Sequence, residues 1–142
     1  MVKNTDREIV QQIDKEFAAL IESLKDLARS GSSYQYILRS AATIEQMCGG
    51  LTANLWDDPF EWTLPETLSN AARIVEYLSE VDLARERAFN SIDDDGLTKY
   101  ISVPSGEERL LISVLLETLV KASDLRGRAA TEGHPYSCSP PT

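Results

Sequence analysis

The side chains of this chain best placed to do chemistry cluster near its C-terminal end: Glu117, Lys121, Asp124 and Arg126. Glu117 and Asp124 are seven residues apart, so on a helix they share a face with Lys121 between them. The plainest use of that spacing is an i,i+4 pair Glu117–Lys121 and an i,i+3 pair Lys121–Asp124 on a solvated face. Arg126 has two readings. It can make a structural salt bridge to an acid on the preceding helix, Glu80 or Asp82, or it can bind an anion at the mouth of a pocket. The structural use is favoured, because Arg commonly serves in such pairs.

Other chemistries find few residues. His134 is the sole histidine and sits in a Pro- and Ser-rich tail, so no Ser/His/Asp set can be assembled. No Gly-x-Gly-x-x-Gly, P-loop or Cys-x-x-Cys pattern occurs. Cys48 and Cys138 lack metal-type spacing. Cys48 reads as a small buried hydrophobe, with no flanking His or Lys to lower its pKa. The run Ile92-Asp-Asp-Asp-Gly-Leu97 invites a calcium reading. The EF-hand pattern would then put Ser91 at position one and Ser102 at position twelve, so the bidentate Glu is missing and the run reads as a turn.

Four helices must position these groups, and nothing reads as strand. The first opens at Thr5-Asp-Arg-Glu8, a capping box, and carries Ile9, Ile13, Phe17, Leu20, Leu24 and Leu27 on one face until Gly31 ends it. The second starts at Ser32 or Ser33, with Ile37, Ala41, Ile44, Cys48 and Leu51 as its stripe. Gly49-Gly50 marks a place for it to fray, kink or end, or for another backbone to approach closely. Trp56, Phe60 and Trp62 follow within a short connection that reads as a loop folded over apolar surface, with a ligand lid as the alternative. A third helix opens at the capping box Thr63-Leu-Pro-Glu66, carries Leu68, Ala71, Val75 and Leu78, and runs to about Phe89. Asp82 and Arg85 continue its face, exposed or lining a polar pocket. Ser105-Gly-Glu-Glu108 is read as the cap of the last helix, whose stripe is Leu111, Val114, Leu115, Thr118, Ala122, Leu125 and Ala129.

Amphipathic helices of this length bury their stripes only against each other, which predicts an all-α four-helix bundle in a single domain, 1–133, with a tail at 134–142. The composition agrees: 42% hydrophobic and 26% charged residues suit one folded domain. A net charge of −9 speaks against nucleic acid and anionic membrane surfaces as partners. No apolar run approaches the roughly 20 residues of a membrane span, and no leader of the signal-peptide kind is seen, so a cytoplasmic location is expected.

The stretch Lys121-Ala-Ser-Asp-Leu-Arg-Gly-Arg128 resembles the His-x-x-His-His-Arg-Gly-Gln signature of the DinB/YfiT-like family. Tyr36-Ile-Leu-Arg-Ser-Ala-Ala-Thr-Ile-Glu45 looks like that family's second helix, and Asp57 to Glu66 like its link into the third. Val103-Pro-Ser-Gly106 looks like its turn into the fourth. The resemblance implies an up-down-down-up order with a long crossover between helices two and three, and a homodimer. In the family three histidines hold a divalent metal, and the matching places here are Ser40, Lys121 and Leu125. A three-histidine site cannot be built from one histidine. Leu125 would fill the vacated space, and the ammonium of Lys121 would repel a cation there. Glu45, Glu117 and Asp124 are the nearest carboxylates that could take over as ligands, though ion pairing is the simpler use of the latter two.

No cofactor is therefore expected. The implied function is a metal-free DinB-like bundle that binds a small molecule or a protein partner, with Glu45, Asp124 and Arg126 as pocket residues. The alternative from the resemblance is a thiol-dependent transferase or isomerase.

Overall fold

A computed structural model of the protein describes residues 2–32, 34–56 and 70–132. Four helices carry the fold: α1 (Val2–Arg29), α2 (Tyr34–Ala53), α3 (Ala71–Asn90) and α4 (Leu111–Glu132). The protein is an all-α four-helix bundle, as the periodicity predicts. α1 buries Ile13, Phe17, Leu20, Ile21, Leu24 and Ala28 on one face. Ile9, expected on that stripe, is exposed, and Val10 packs toward the core in its place. Gly31 closes α1 in the left-handed region (φ +81°), with Ser32 N–H donating to the Leu27 carbonyl at 3.0 Å.

Neighbour relations give the order of the helices. Arg7 pairs with Asp94 beyond α3, and the Phe17 and Phe89 rings meet at 5.7 Å, so α1 and α3 run antiparallel. Ser40 near the start of α2 donates to the Ala122 carbonyl in the second half of α4, so that pair is antiparallel too. Glu45 of α2 accepts from Tyr77 of α3, and Cys48, one turn on, lies near Arg85, so α2 and α3 run parallel. The result is the up-down-down-up order. Residues 54–70 therefore join opposite ends of the bundle, roughly 30 Å apart for helices of 20 residues. α2 packs between α3 and α4, which explains why it buries Leu38, Ser40, Ala42 and Met47 as well as Ile37, Ala41, Ile44 and Cys48.

Several local expectations are corrected. α1 begins at Val2, so Thr5 lies inside the helix and is not its cap. α2 runs unbroken through Gly49-Gly50 to Ala53. α3 begins at Ala71, where the Asn70 side chain accepts from Arg73 N–H at 2.9 Å. The boxes and aromatics between Asp57 and Ser69 lie outside the described residues, as do Ser33 and the tail. The buried stripe of α3 is Ile74, Tyr77, Leu78, Val81, Arg85, Ala88 and Phe89, rotated from the expected Ala71–Val75 line.

The largest miss is a hairpin where no strand was expected. β1 (Tyr100–Ser102) pairs antiparallel with β2 (Glu108–Leu110), Ile101 facing Arg109. Pro104 and Ser105 form the turn, closed by Gly106 N–H to the Val103 carbonyl at 2.9 Å, and Gly106 takes φ +89°. Pro presets the first turn residue and Gly supplies the positive φ after it. Ser105 therefore caps no helix, and α4 starts six residues later at Leu111.

Candidate functional site

The C-terminal turn of α2 builds one wall of a groove. Asn54 adopts φ +57°, a short polar residue in the left-handed conformation that ends a helix. Its N–H donates to the Gly50 carbonyl and the Leu55 N–H to the Gly49 carbonyl, both at 3.1 Å. This cap folds the chain back so that the Trp56 indole lies flat against Gly50. A Cβ at Gly50 would press on the ring far inside van der Waals contact, and one at Gly49 would sit 2.8 Å from the Leu55 carbonyl oxygen. The close approach anticipated at the Gly-Gly pair is thus real, and both glycines serve it. Gln46 Nε2 donates to the Trp56 carbonyl at 2.7 Å, and Trp56 Nε1 to Asn54 Oδ1 at 3.1 Å, which fixes the indole.

Beside this wall runs a groove of about 560 Å³ between α2 and α4. Buried Met47 forms its floor, Trp56, Leu116 and Val120 its apolar sides, and Glu117 and Lys121 its rim. Leu116 and Val120 are one turn apart on the side of α4 away from the core, 45% and 70% exposed. Their signal in the sequence is two large apolar residues off the heptad stripe, on a helix whose core face is already accounted for. The size falls within the roughly 300–1,000 Å³ of small-molecule sites, which are lined mainly by apolar and aromatic groups.

The charges on this face pair differently from the sequence expectation. Glu117 binds Arg109 of β2, and Asp124 binds Arg128 at 3.2 Å. Lys121 therefore makes neither the Glu117 nor the Asp124 pair, and it has no ion pair among the described residues. The Arg128 guanidinium is held above its ordinary pKa by the Asp124 charge and by hydrogen bonds to Asp124 and Tyr36.

The three positions implied by the resemblance come out as follows. Ser40 is fully buried and donates to the Ala122 carbonyl at 2.7 Å. Small residues on both sides, Ala41 and Ala122, bring the helices into close contact there. Leu125 is only partly buried, and Lys121 faces solvent. Glu45 accepts from Tyr77 Oη at 2.5 Å, Asp124 holds Arg128, and Arg126 reaches Ser23 Oγ of α1 at 3.5 Å. The three proposed pocket residues make no contact with one another among the described residues. Arg126 does not bridge to Glu80 or Asp82. Among the described residues no three His, Cys, Asp or Glu side chains are placed to hold a metal.

Asp82 serves Arg85 instead. Arg85 is buried, donates Nε to Asp82 at 2.8 Å, and bridges to Asp14 on α1. Burial alone would lower its pKa, but the hydrogen bonds and charges of Asp82 and Asp14 outweigh that and raise it. The Asp14 partner, 71 residues away, left no local signal. Cys48 lies nearby, and burial pushes its thiol from 9.0 up to about 12. It is a packing residue with an inert thiol, as its sequence context implies.

At the end of the bundle, the acidic run forms a turn held by its own cations. Lys99 bridges Asp93 and Asp95, both at 3.4 Å, and Arg7 bridges Asp94 at 3.0 Å. No helix among the described residues is long and apolar enough to cross a membrane. Comparison of the chain with family models, with curated proteins and with solved structures finds no match.

Proposed function

We propose that this protein is a metal-free, DinB-like binding bundle that takes a small apolar molecule in the groove between α2 and α4. The observation that carries the reading is the groove itself. An apolar floor and a clamped indole face solvent in a volume suited to a ring-sized ligand. The up-down-down-up order agrees with the family frame, and Ser40 meets α4 next to Lys121, where the resemblance aligns those two positions. A cap that fixes a half-buried aromatic at the groove suits binding, because a preorganised wall loses little entropy when a ligand arrives.

The test is fluorescence titration with the neutral dye N-phenyl-1-naphthylamine, using the full chain and its Trp56→Ala variant. Saturable binding that falls about tenfold or more in the variant is the expected result, since an aromatic wall contributes on the order of 1.4 kcal/mol. Absence of saturable binding, or equal binding in the variant, overturns the reading.

A further inference from the structure

We infer that the occupant of this groove is a small monoanion with an apolar body, and that Lys121 is the residue that recognises its charge. The inference rests on the groove reading above and adds the ligand's class to it.

Several donors along the lining are already committed. Thr43 Oγ1 donates to the Arg39 carbonyl at 2.8 Å, and Gln46 Nε2 to the Trp56 carbonyl at 2.7 Å. Lys121 alone among these brings a charged donor with no ion pair among the described residues. An ammonium carries three donors and no acceptor, so it calls for an acceptor that is itself charged.

The neighbouring charges sharpen this. Glu117 is offset by Arg109 and Asp124 by Arg128. Among the described residues, Lys121 is left without an ion-pair partner on this patch of a protein whose net charge is −9. The net negative charge repels an anion on average, whereas at the groove it meets Lys121. The apolar body would lie on Met47 and against the Trp56 ring, with its charge toward the rim. A volume of about 560 Å³ suits an aryl or short alkyl carboxylate or sulfonate and leaves no room for a large polyanion.

A matched pair of dyes separates the body from the charge. 1-Anilinonaphthalene-8-sulfonate carries the ring system of N-phenyl-1-naphthylamine plus one sulfonate. Each is titrated into the full chain, into Lys121→Met and into Lys121→Arg, all checked for an unchanged melt. The expected result has three parts. The sulfonate dye binds the parent about fivefold or more tighter than the neutral dye, as a partly exposed charge pair allows. Lys121→Met erases that advantage and leaves the neutral dye within about twofold, while Lys121→Arg keeps it. Added salt reduces the advantage. Equal binding of the two dyes, or an advantage that survives Lys121→Met, overturns the anion inference and leaves the groove reading standing. Binding of neither dye overturns both. Dye binding that falls as the chain self-associates gives the groove to a second copy and overturns both as well.

Discussion

Replacing Gly50 by alanine is expected to push Trp56 off α2 and remove one wall of the groove. The new Cβ would press on the present position of the indole, far inside van der Waals contact. Carbon atoms pack at about 3.5–4.0 Å, so the ring has to retreat by about 1 Å or swing away. Two effects of opposite sign decide the stability. An alanine inside a helix gains up to about 1 kcal/mol over glycine. Exposing one indole face, roughly 100 Å², loses about 2.5 kcal/mol at 25 cal/mol per Å², an upper bound. The net is a loss of about 1.5 kcal/mol, or roughly 3–6 °C in Tm for a chain of this size. Binding should suffer more than stability, because the wall is lost while the core of Phe17, Ile44 and Leu115 is untouched. The assay is Trp56 emission and N-phenyl-1-naphthylamine affinity, both in a Trp62→Phe background, alongside a thermal melt. Emission should move to the red and affinity should fall about tenfold or more. Unchanged emission and affinity with a raised Tm would leave only the helix gain, and would refute the seating of the indole on Gly50.

Three further outcomes are expected. Arg85→Met should cost about 2 kcal/mol, below the usual range for a broken buried pair because Asp14 and Asp82 keep 33% and 30% exposure to water. Adding Asp14→Asn and Asp82→Asn should recover most of it, and a melt of each variant checks both steps. Cys48 favours its neutral form when folded, so its contribution is complete below pH 9 and is lost between pH 9 and about 12. Three pKa units correspond to about 4 kcal/mol at most. Denaturant melts from pH 8 to 11 should therefore fall less steeply in Cys48→Ala than in the parent, and in Cys138→Ala the remaining thiol should react with a disulfide reagent only on unfolding. Zinc or nickel added to the untagged protein should leave Tm unchanged, whereas binding at a hundred times Kd would add about 2.7 kcal/mol. An upward shift would restore a metal-dependent reading.

Much of the bundle was legible because helical periodicity is local. Phe17, Leu24, Ile37, Ile44, Leu78 and Leu115 fall where a period of 3.6 puts them, and each is buried. Gly31 ends α1 as its type demands. Local signals also misled. Ser105-Gly-Glu-Glu108 fits a capping box as written, yet Tyr100-Ile-Ser finds Glu108-Arg-Leu as a strand partner, and a hairpin satisfies the same backbone groups. Strands of three residues are too short to show alternation.

The candidate site was less legible than the frame. Lys121 stands out by its charge and by its place in the stretch that carries the resemblance, but its spacing to Glu117 and Asp124 does not set its pairing. Arg109 lies eight residues before Glu117, on the strand that leads straight into α4, and it captures the carboxylate that i,i+4 spacing would assign to Lys121. Asp82 is likewise captured by Arg85 three residues on, which leaves Arg126 to Ser23. Helical spacing says which partners are within reach, while competition among several such partners decides which of them is taken.

The sequence alone therefore specified the number of helices, most of the faces buried by α1, α2 and α4, and the lack of histidines for a three-histidine site. Those properties depend on side-chain type and a period of a few residues. The groove belongs to the tertiary structure. Met47, Trp56, Leu116 and Lys121 meet because the chain after α2 folds back onto two glycines and α2 packs antiparallel to α4. That meeting depends on contacts between segments some seventy residues apart, which no local pattern encodes.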